Sequence, residues 1–302
     1  SHPGVKIEVV PVTIERPAWL RAPAPVGDTY RQLRSLVERL GLHTICQSAA
    51  CPNLGECWNQ RTATFLILGN LCTRRCGFCA VPKGRPAGVV DWAEPERVAA
   101  AAQAMGLEYA VVTSVDRDDL ADGGATVFAL TIEALRRRRP GCKVEVLIPD
   151  FRGSDEALAI VLRARPDILN HNLETVPRLY SVARRGSQYE RSLHLLRCSR
   201  EIDPSIPTKS GLLVGLGETF DELSAVLEDL RAAGTDIVTI GQYLRPSGEQ
   251  LPVARFYTPE EFAALKQEGL RLGIRHVESG PLVRSSYHAR EQSQTVIEPS
   301  SD

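Results

Sequence analysis

The sequence predicts an α/β fold on a parallel sheet, either a partial (β/α)6 TIM-type barrel or an open doubly wound sheet. Three observations carry this expectation. Beyond Arg61, short β-rich runs alternate with amphipathic helical segments, the order that places strands side by side and parallel. Several of the later helices carry their own start signals. The chain has 302 residues, enough for one large domain with short extensions or for two smaller ones.

Residues 1–27 are proline-rich and lack sustained periodicity, which predicts an extended arm lying over another surface. From Asp28, a suitable N-cap, Tyr30, Leu33, Val37 and Leu40 recur at helical spacing until Gly41 stops the run. Strands are expected at Ala63–Leu68, Tyr109–Thr113, Lys143–Ile148, Ile168–Asn170, Thr208–Val214 and Ile237–Ile240. Between them, helices are marked by Glu94-Pro95 ahead of Val98, Ala102 and Met105, by Phe128, Ile132 and Leu135, and by Ser154 ahead of Leu158, Val161 and Leu162. Thr219 with Glu222, and Thr258 with Glu261, form capping boxes, and Pro259 stands at a first helical position. The polar tail after Gln292 reads as flexible. In either sheet, the chemistry belongs at the carboxyl ends of the strands.

Charged residues make up 24% of the chain and nearly cancel, at net −1, so there is no global basic field to hold nucleic acid or an anionic membrane. No apolar run approaches the roughly 18 residues of a membrane span, and Ser1-His2-Pro3-Gly4 opens neither a signal nor a transit peptide. A soluble, cytoplasmic protein is expected. Of its 8 cysteines, most crowd between Cys46 and Cys79. Thiols kept reduced and packed at short spacing read as metal ligands or redox centres.

Cys72, Cys76 and Cys79 form C-x3-C-x2-C just after the first predicted strand, where an active-site loop of such a barrel belongs. Three thiolates can hold three irons of a 4Fe-4S cluster and leave the fourth open to a small molecule. A zinc site would want a fourth Cys or His. Cys46, Cys51 and Cys57 form a second set, C-x4-C-x5-C, unlike the paired knuckles of zinc ribbons. Cys142 and Cys198 stand alone and read as small buried hydrophobes. Asp116, Asp118 and Asp119 read as a cap on the following helix, and Gly215 and Gly217 as places where backbone approaches a cofactor.

Cys-Thr-Arg-Arg-Cys-Gly-Phe-Cys at Cys72–Cys79, with Phe78 before the last cysteine, resembles the signature of the radical S-adenosylmethionine superfamily. The upstream triplet, with Cys51-Pro52-Asn53 and Glu56-Cys57-Trp58, is similar to that of the lipoyl synthase family. Also similar are Thr113-Ser114-Val115-Asp116-Arg117-Asp118-Asp119-Leu120, His171-Asn172-Leu173-Glu174-Thr175, Lys209-Ser210-Gly211, Gly215-Leu216-Gly217-Glu218-Thr219 and Arg284-Ser285-Ser286-Tyr287-His288. The resemblance runs from about Arg16 to Ala289. It departs at Arg184-Arg185-Gly186-Ser187, where many members carry proline after the first arginine.

The resemblance implies a barrel of the radical SAM kind over residues 62–275. Extensions at 1–61, with the auxiliary cysteines, and 276–302, with the serine motif, would cover its mouth. It implies two 4Fe-4S clusters. Cys72, Cys76 and Cys79 would hold the one whose open iron chelates S-adenosylmethionine. Cys46, Cys51 and Cys57 would hold the auxiliary one, with Ser286 as its fourth ligand, a harder and more labile donor than thiolate. Phe78, Thr113, Ser114, Asn170 and Glu174 would line the S-adenosylmethionine site. The implied reaction puts sulfur at carbons 6 and 8 of an octanoyl chain carried on a lysine of a lipoyl domain. Those carbons have no acidic proton, so acid–base catalysis cannot activate them and a cofactor must. A 5′-deoxyadenosyl radical would abstract hydrogen, and the auxiliary cluster would be consumed as the sulfur source. The implied partners are octanoylated carrier domains (2-oxoacid dehydrogenase acyltransferase subunits and the glycine cleavage H protein), a ferredoxin or flavodoxin electron donor and an iron–sulfur cluster carrier.

Overall fold

The computed structural model describes residues 15–21, 28–44 and 53–297. Cys46 and Cys51 lie outside the described residues. The sheet has 8 strands in the order β1 to β8: β1 (His43–Thr44), β2 (Thr62–Ile67), β3 (Tyr109–Ser114), β4 (Lys143–Leu147), β5 (Ile168–Asn170), β6 (Thr208–Val214), β7 (Ile237–Gln242) and β8 (His276–Gly280). β1 is antiparallel to β2, and β2 through β8 are parallel. The sheet curves without closing, a partial barrel as expected, and β1 and β8 add two strands beyond the six predicted.

Parallel strands buried on both faces read as continuous apolar runs, and β2, β3 and β7 are buried almost throughout. Their outer faces meet the helices. Val112, Val144, Val146 and Leu169 pack with Val98 of α3 (Glu94–Ala104), Phe128 and Ile132 of α4 (Ala125–Arg138) and Leu158 of α5 (Asp155–Arg163). Past the short α6 (Tyr180–Ala183) and α7 (Tyr189–Ile202), Leu212, Val238 and Ile240 pack with Leu223 and Leu227 of α8 (Phe220–Ala232) and Phe262 and Leu265 of α9 (Pro259–Arg271). Both predicted capping boxes are formed, at Thr219 and Thr258. Ser154 caps α5 by accepting from the Ala157 amide at 3.1 Å. Cys142 and Cys198 are buried, as expected.

Two expectations need correcting. Residues 293–297 of the expected flexible tail belong to α10 (Ala289–Ile297), whose buried face is Ala289, Gln292, Ser293 and Val296, and residues 298–302 lie outside the described residues. Ala289 packs on Tyr109 and Val111, and Val296 on Ile168 and Ile237, inside the curve of the sheet. Two polar residues on that face hide its helical period. The acidic run does not cap α4 either. Asp122 does, accepting from the Gly124 and Thr126 amides at 2.9 Å each, because the earlier carboxylates face buried arginines.

At the other end of the chain, α1 (Asp28–Arg39) stops at Gly41, whose φ of 61° is the left-handed turn a glycine allows. Within the described part of the arm, Leu20 is fully buried and the Trp19 indole donates to the Tyr257 carbonyl at 3.2 Å. α2 (Leu54–Asn59) carries Cys57.

Candidate active site

Cys72, Cys76 and Cys79 occupy the loop leaving the carboxyl end of β2, and all carry free thiols. The loop is pinned on both sides. Cys72 donates its amide to the Pro82 carbonyl and accepts from the Gly84 amide, each at 2.9 Å, while Gly77 bonds to Ala183 at 2.8 Å and to Leu251 at 2.9 Å. An added Cβ at Gly77 would stand 2.7 Å from the Val182 carbonyl oxygen. The Asp116 amide points at the Cys72 sulfur at 3.4 Å. Phe78 is half-buried between the two later cysteines.

Beneath the loop lies Arg74, between the first two cysteines and almost fully buried. Its guanidinium meets Asp118 at 2.8 and 2.9 Å, Asp150 at 2.6 Å and Asp116 at 3.6 Å, and donates to the Ser187 hydroxyl at 3.2 Å. Burial opposes its charge, but these carboxylates outweigh it and raise its basicity further. Asp150 is held below the usual carboxylate range: burial would raise it, and Arg74 reverses the sign. A second arginine, Arg117, ties Asp119 to the carbonyls of Leu68 and Val89.

Burial pushes the Cys76 thiol up to about 12, against the opposing charge of the nearby Arg184, and Asp116, Cys79 and Glu174 add to the rise. Burial also raises Cys72. These sulfurs therefore need a cation to become thiolates, and a bound metal removes the proton outright. With Cys79 the loop offers three free thiols, and three sulfur donors on one pinned loop fit an iron–sulfur centre.

Glu174 sits across from this loop with φ 67°, a left-handed conformation for a non-glycine. Two bonds to β6 hold it there, from its amide to the Gly211 carbonyl at 2.9 Å and from the Leu213 amide to its carbonyl at 2.7 Å. Burial raises its carboxyl, while Arg184, Asn172 and Arg284 oppose. Asn172 donates to Glu174 and to the Ser285 hydroxyl, both at 3.0 Å, and accepts from the Gly211 amide at 2.9 Å. With Thr239, Gly241 and the 283–285 segment, these residues surround a water-sized cavity of about 30 Å³.

The other predicted contacts sit differently. Thr113 donates to the Leu147 carbonyl at 2.9 Å, and the Ser114 hydroxyl is buried without a partner among the described residues. Asn170 is fully buried one layer deeper, donating to Glu145 at 3.3 Å, and Glu145 in turn meets Lys209 at 3.0 Å and Tyr109 at 2.6 Å. The close approach at Gly215, φ 102°, is by Gln242 and the Arg255 carbonyl, which an added Cβ would meet at 2.2 and 2.6 Å. Gly217, φ 112°, has only Ala254 near an added Cβ, at 4.0 Å. Sequence reasoning gave no role to Arg74 and Ser285, which it met only inside longer motifs, and did not single out Asp150. Asn172, two residues before Glu174, was the available signal for the inward-facing row.

The chain after β8 crosses this same end of the sheet. Asn53 donates to the Leu282 carbonyl at 2.6 Å, and Glu56 of α2 meets the Tyr287 hydroxyl at 3.3 Å and His288 at 3.2 Å. α2, which carries Cys57, is thereby a neighbour of the Arg284–His288 segment. Ser286 is half-buried, and its hydroxyl makes no hydrogen bond among the described residues.

A partial barrel with a cysteine triplet after its first parallel strand is the arrangement of the radical SAM superfamily, and residues 66–230 match the family model of that description. HydG, a maturase of the FeFe-hydrogenase, shares the fold at 14% identity with TM-score 0.57, over 90% of this chain and 71% of its own. Methylornithine synthase (PylB) does so at 13% and TM-score 0.53, over 89% and 93%. Curated relatives are far nearer. Lipoyl synthase of Koribacter versatilis is 61% identical over 94% of this chain and 93% of its own length, and that of Rubrobacter xylanophilus 59% identical over 92% and 87%. The chain belongs to the lipoyl synthase family, and it is an enzyme.

Proposed function

We propose that the chain inserts two sulfur atoms, at carbons 6 and 8, into an octanoyl group carried on a lysine of a lipoyl domain, with an auxiliary 4Fe-4S cluster as sulfur source. The observation that carries this reading is the docking of α2, bearing Cys57, onto the Arg284–His288 segment at the end of the sheet that also bears the Cys72–Cys79 loop. Two donor sets of different chemistry would then share one face. The first is Cys72, Cys76 and Cys79; the second is Cys57 and Ser286, to be completed by Cys46 and Cys51. When bound, the clusters and S-adenosylmethionine supply the one-electron and sulfur chemistry that unactivated carbon requires.

The chain supplies position and the exclusion of water. Arg74 and its carboxylates fix the loop that holds the first cluster. Glu174 and Asn172 offer hydrogen-bond acceptors and donors to the ammonium, carboxylate or ribose of S-adenosylmethionine, with Thr113, Ser114 and Asn170 below them. Phe78 shields the loop. No helix of the described residues is long and apolar enough to cross a membrane, in keeping with work in the cytoplasm on carrier domains such as the acyltransferase subunits of 2-oxoacid dehydrogenases and the glycine cleavage H protein. A ferredoxin or flavodoxin would supply electrons, and a cluster carrier would replace the spent iron and sulfide.

The test is the iron, sulfide and zinc content of anaerobically purified protein, with electron paramagnetic resonance of the reduced sample. Two clusters require about eight irons per chain. Stoichiometric zinc without sulfide would overturn the reading. Ser286→Ala is expected to keep S-adenosylmethionine cleavage and lose sulfur transfer; if sulfur transfer persists unchanged, the ligand role is wrong.

A further inference from the structure

In the helical layer outside the sheet, Asp155, His194 and Cys198 bring one carboxylate oxygen, one imidazole nitrogen and one sulfur within 4.8 Å of one another. We propose that these three side chains form a binding site for a borderline divalent metal ion, zinc in particular, which clips α5 to α7. The two α7 donors stand one turn apart at i and i+4, so they share a face. Asp155 opens α5, where Ser154 fixes the first turn. The His194 Nε2 to Asp155 Oδ1 distance is 3.1 Å. Ligand bonds of about 2.0 to 2.3 Å put the corners of a zinc tetrahedron roughly 3.3 to 3.7 Å apart, so small side-chain shifts suffice.

The donor set is mixed in the way zinc favours. One imidazole, one thiolate and one carboxylate fill three corners, and water takes the fourth. Solvent reaches that corner, because the side chains of His194 and Asp155 are 50% and 56% exposed while Cys198 lies beneath them. Without a cation the Asp155 carboxylate holds both neighbours, His194 at 3.1 Å and the Cys198 thiol, whose proton burial and that carboxylate keep in place. The three donors are thus gathered in advance, and a metal ion would displace the thiol proton. The clip also has something to brace. Only the 3-10 turn Phe151–Gly153 and Ser154 separate Asp155 from Asp150, which holds Arg74 under the cysteine loop.

The experiment titrates the cluster-loaded enzyme with zinc against a fluorescent zinc chelator, and counts iron and sulfide in the same samples. Wild-type protein is expected to take up one zinc with iron and sulfide unchanged. His194→Ala with Cys198→Ser should bind it at least about tenfold more weakly, since even outer-layer changes at zinc sites cost that much. Because Cys198 is buried, the half-exposed His194→Gln is the second variant, with the same direction expected. Zinc should raise the melting temperature of wild-type protein and not of either variant. Equal zinc affinity in wild type and His194→Gln, no uptake by wild type, or uptake only with loss of iron would each overturn the site.

Discussion

Arg74 shows how much a single residue inside a motif can carry. One buried guanidinium answers Asp116, Asp118 and Asp150, and breaking such a set strands the remaining charges, at a cost of about 3–5 kcal/mol. Arg74→Ala is therefore expected to lower stability by about that amount in urea unfolding and to loosen the cysteine loop. Nothing in Thr-Arg-Arg distinguishes it from the exposed Arg75, because burial is decided by what packs over the loop. The cysteines were legible for the opposite reason, since metal ligation fixes spacing in the sequence itself. His171 gives a second test. Burial, with help from Arg184, pushes it down to about 4, and it bonds to the Ile148 carbonyl and the Ser192 hydroxyl at 2.8 Å each. Its folded pKa lies below the unfolded value, so the unfolded chain takes up a proton first. Stability should fall by about 3 kcal/mol as pH drops from about 6.5 to about 4, a slope that His171→Asn should flatten in denaturation measured across that range.

Among the elements, the strands were readable and the chain ends were not. β2, β3 and β7 are rich in β-branched residues because both faces are covered, whereas β8, His-Val-Glu-Ser-Gly, has one buried apolar residue and little to announce it. α2 follows a cysteine motif that dominates its reading, and α10 buries polar residues. The crossing of β7 by the segment after β8 depends on Gly241, where an added Cβ would meet the Val283 carbonyl oxygen at 2.0 Å. Gly241→Ala is expected to displace residues 281–288 while the barrel persists. On the proposed ligation, bound iron should fall from about eight toward about four per chain, with the circular dichroism spectrum unchanged. Retention of all the iron would show that the segment tolerates the shift.

For the whole molecule, α10 works as an inner plug. Val296 packs on Ile168 and Ile237 of β5 and β7, so it spans the curve of the sheet. Val296→Asp would bury a carboxylate among apolar groups, an expected loss of about 2–4 kcal/mol read as a melting temperature lower by several degrees. The overall architecture followed from alternation of elements, a property of the chain's whole length. Which parts of its ends fold back over the sheet depended on pairings more than two hundred residues apart, such as Glu56 with His288, and local patterns carry no such information. That pairing belongs to the one side of the barrel where strands do not meet. Elsewhere the wall is stitched by backbone ladders, which salt hardly touches. Along this open margin the seam is held by part-exposed side chains, Glu56 to His288 and His288 to Glu278, pairs of opposite charge only when the imidazole is protonated, whose attraction then fades as ionic strength rises. At mildly acid pH, raising salt should unpick that margin first, so amide exchange in α2 and at 282–288 should quicken while β3 to β7 stay silent.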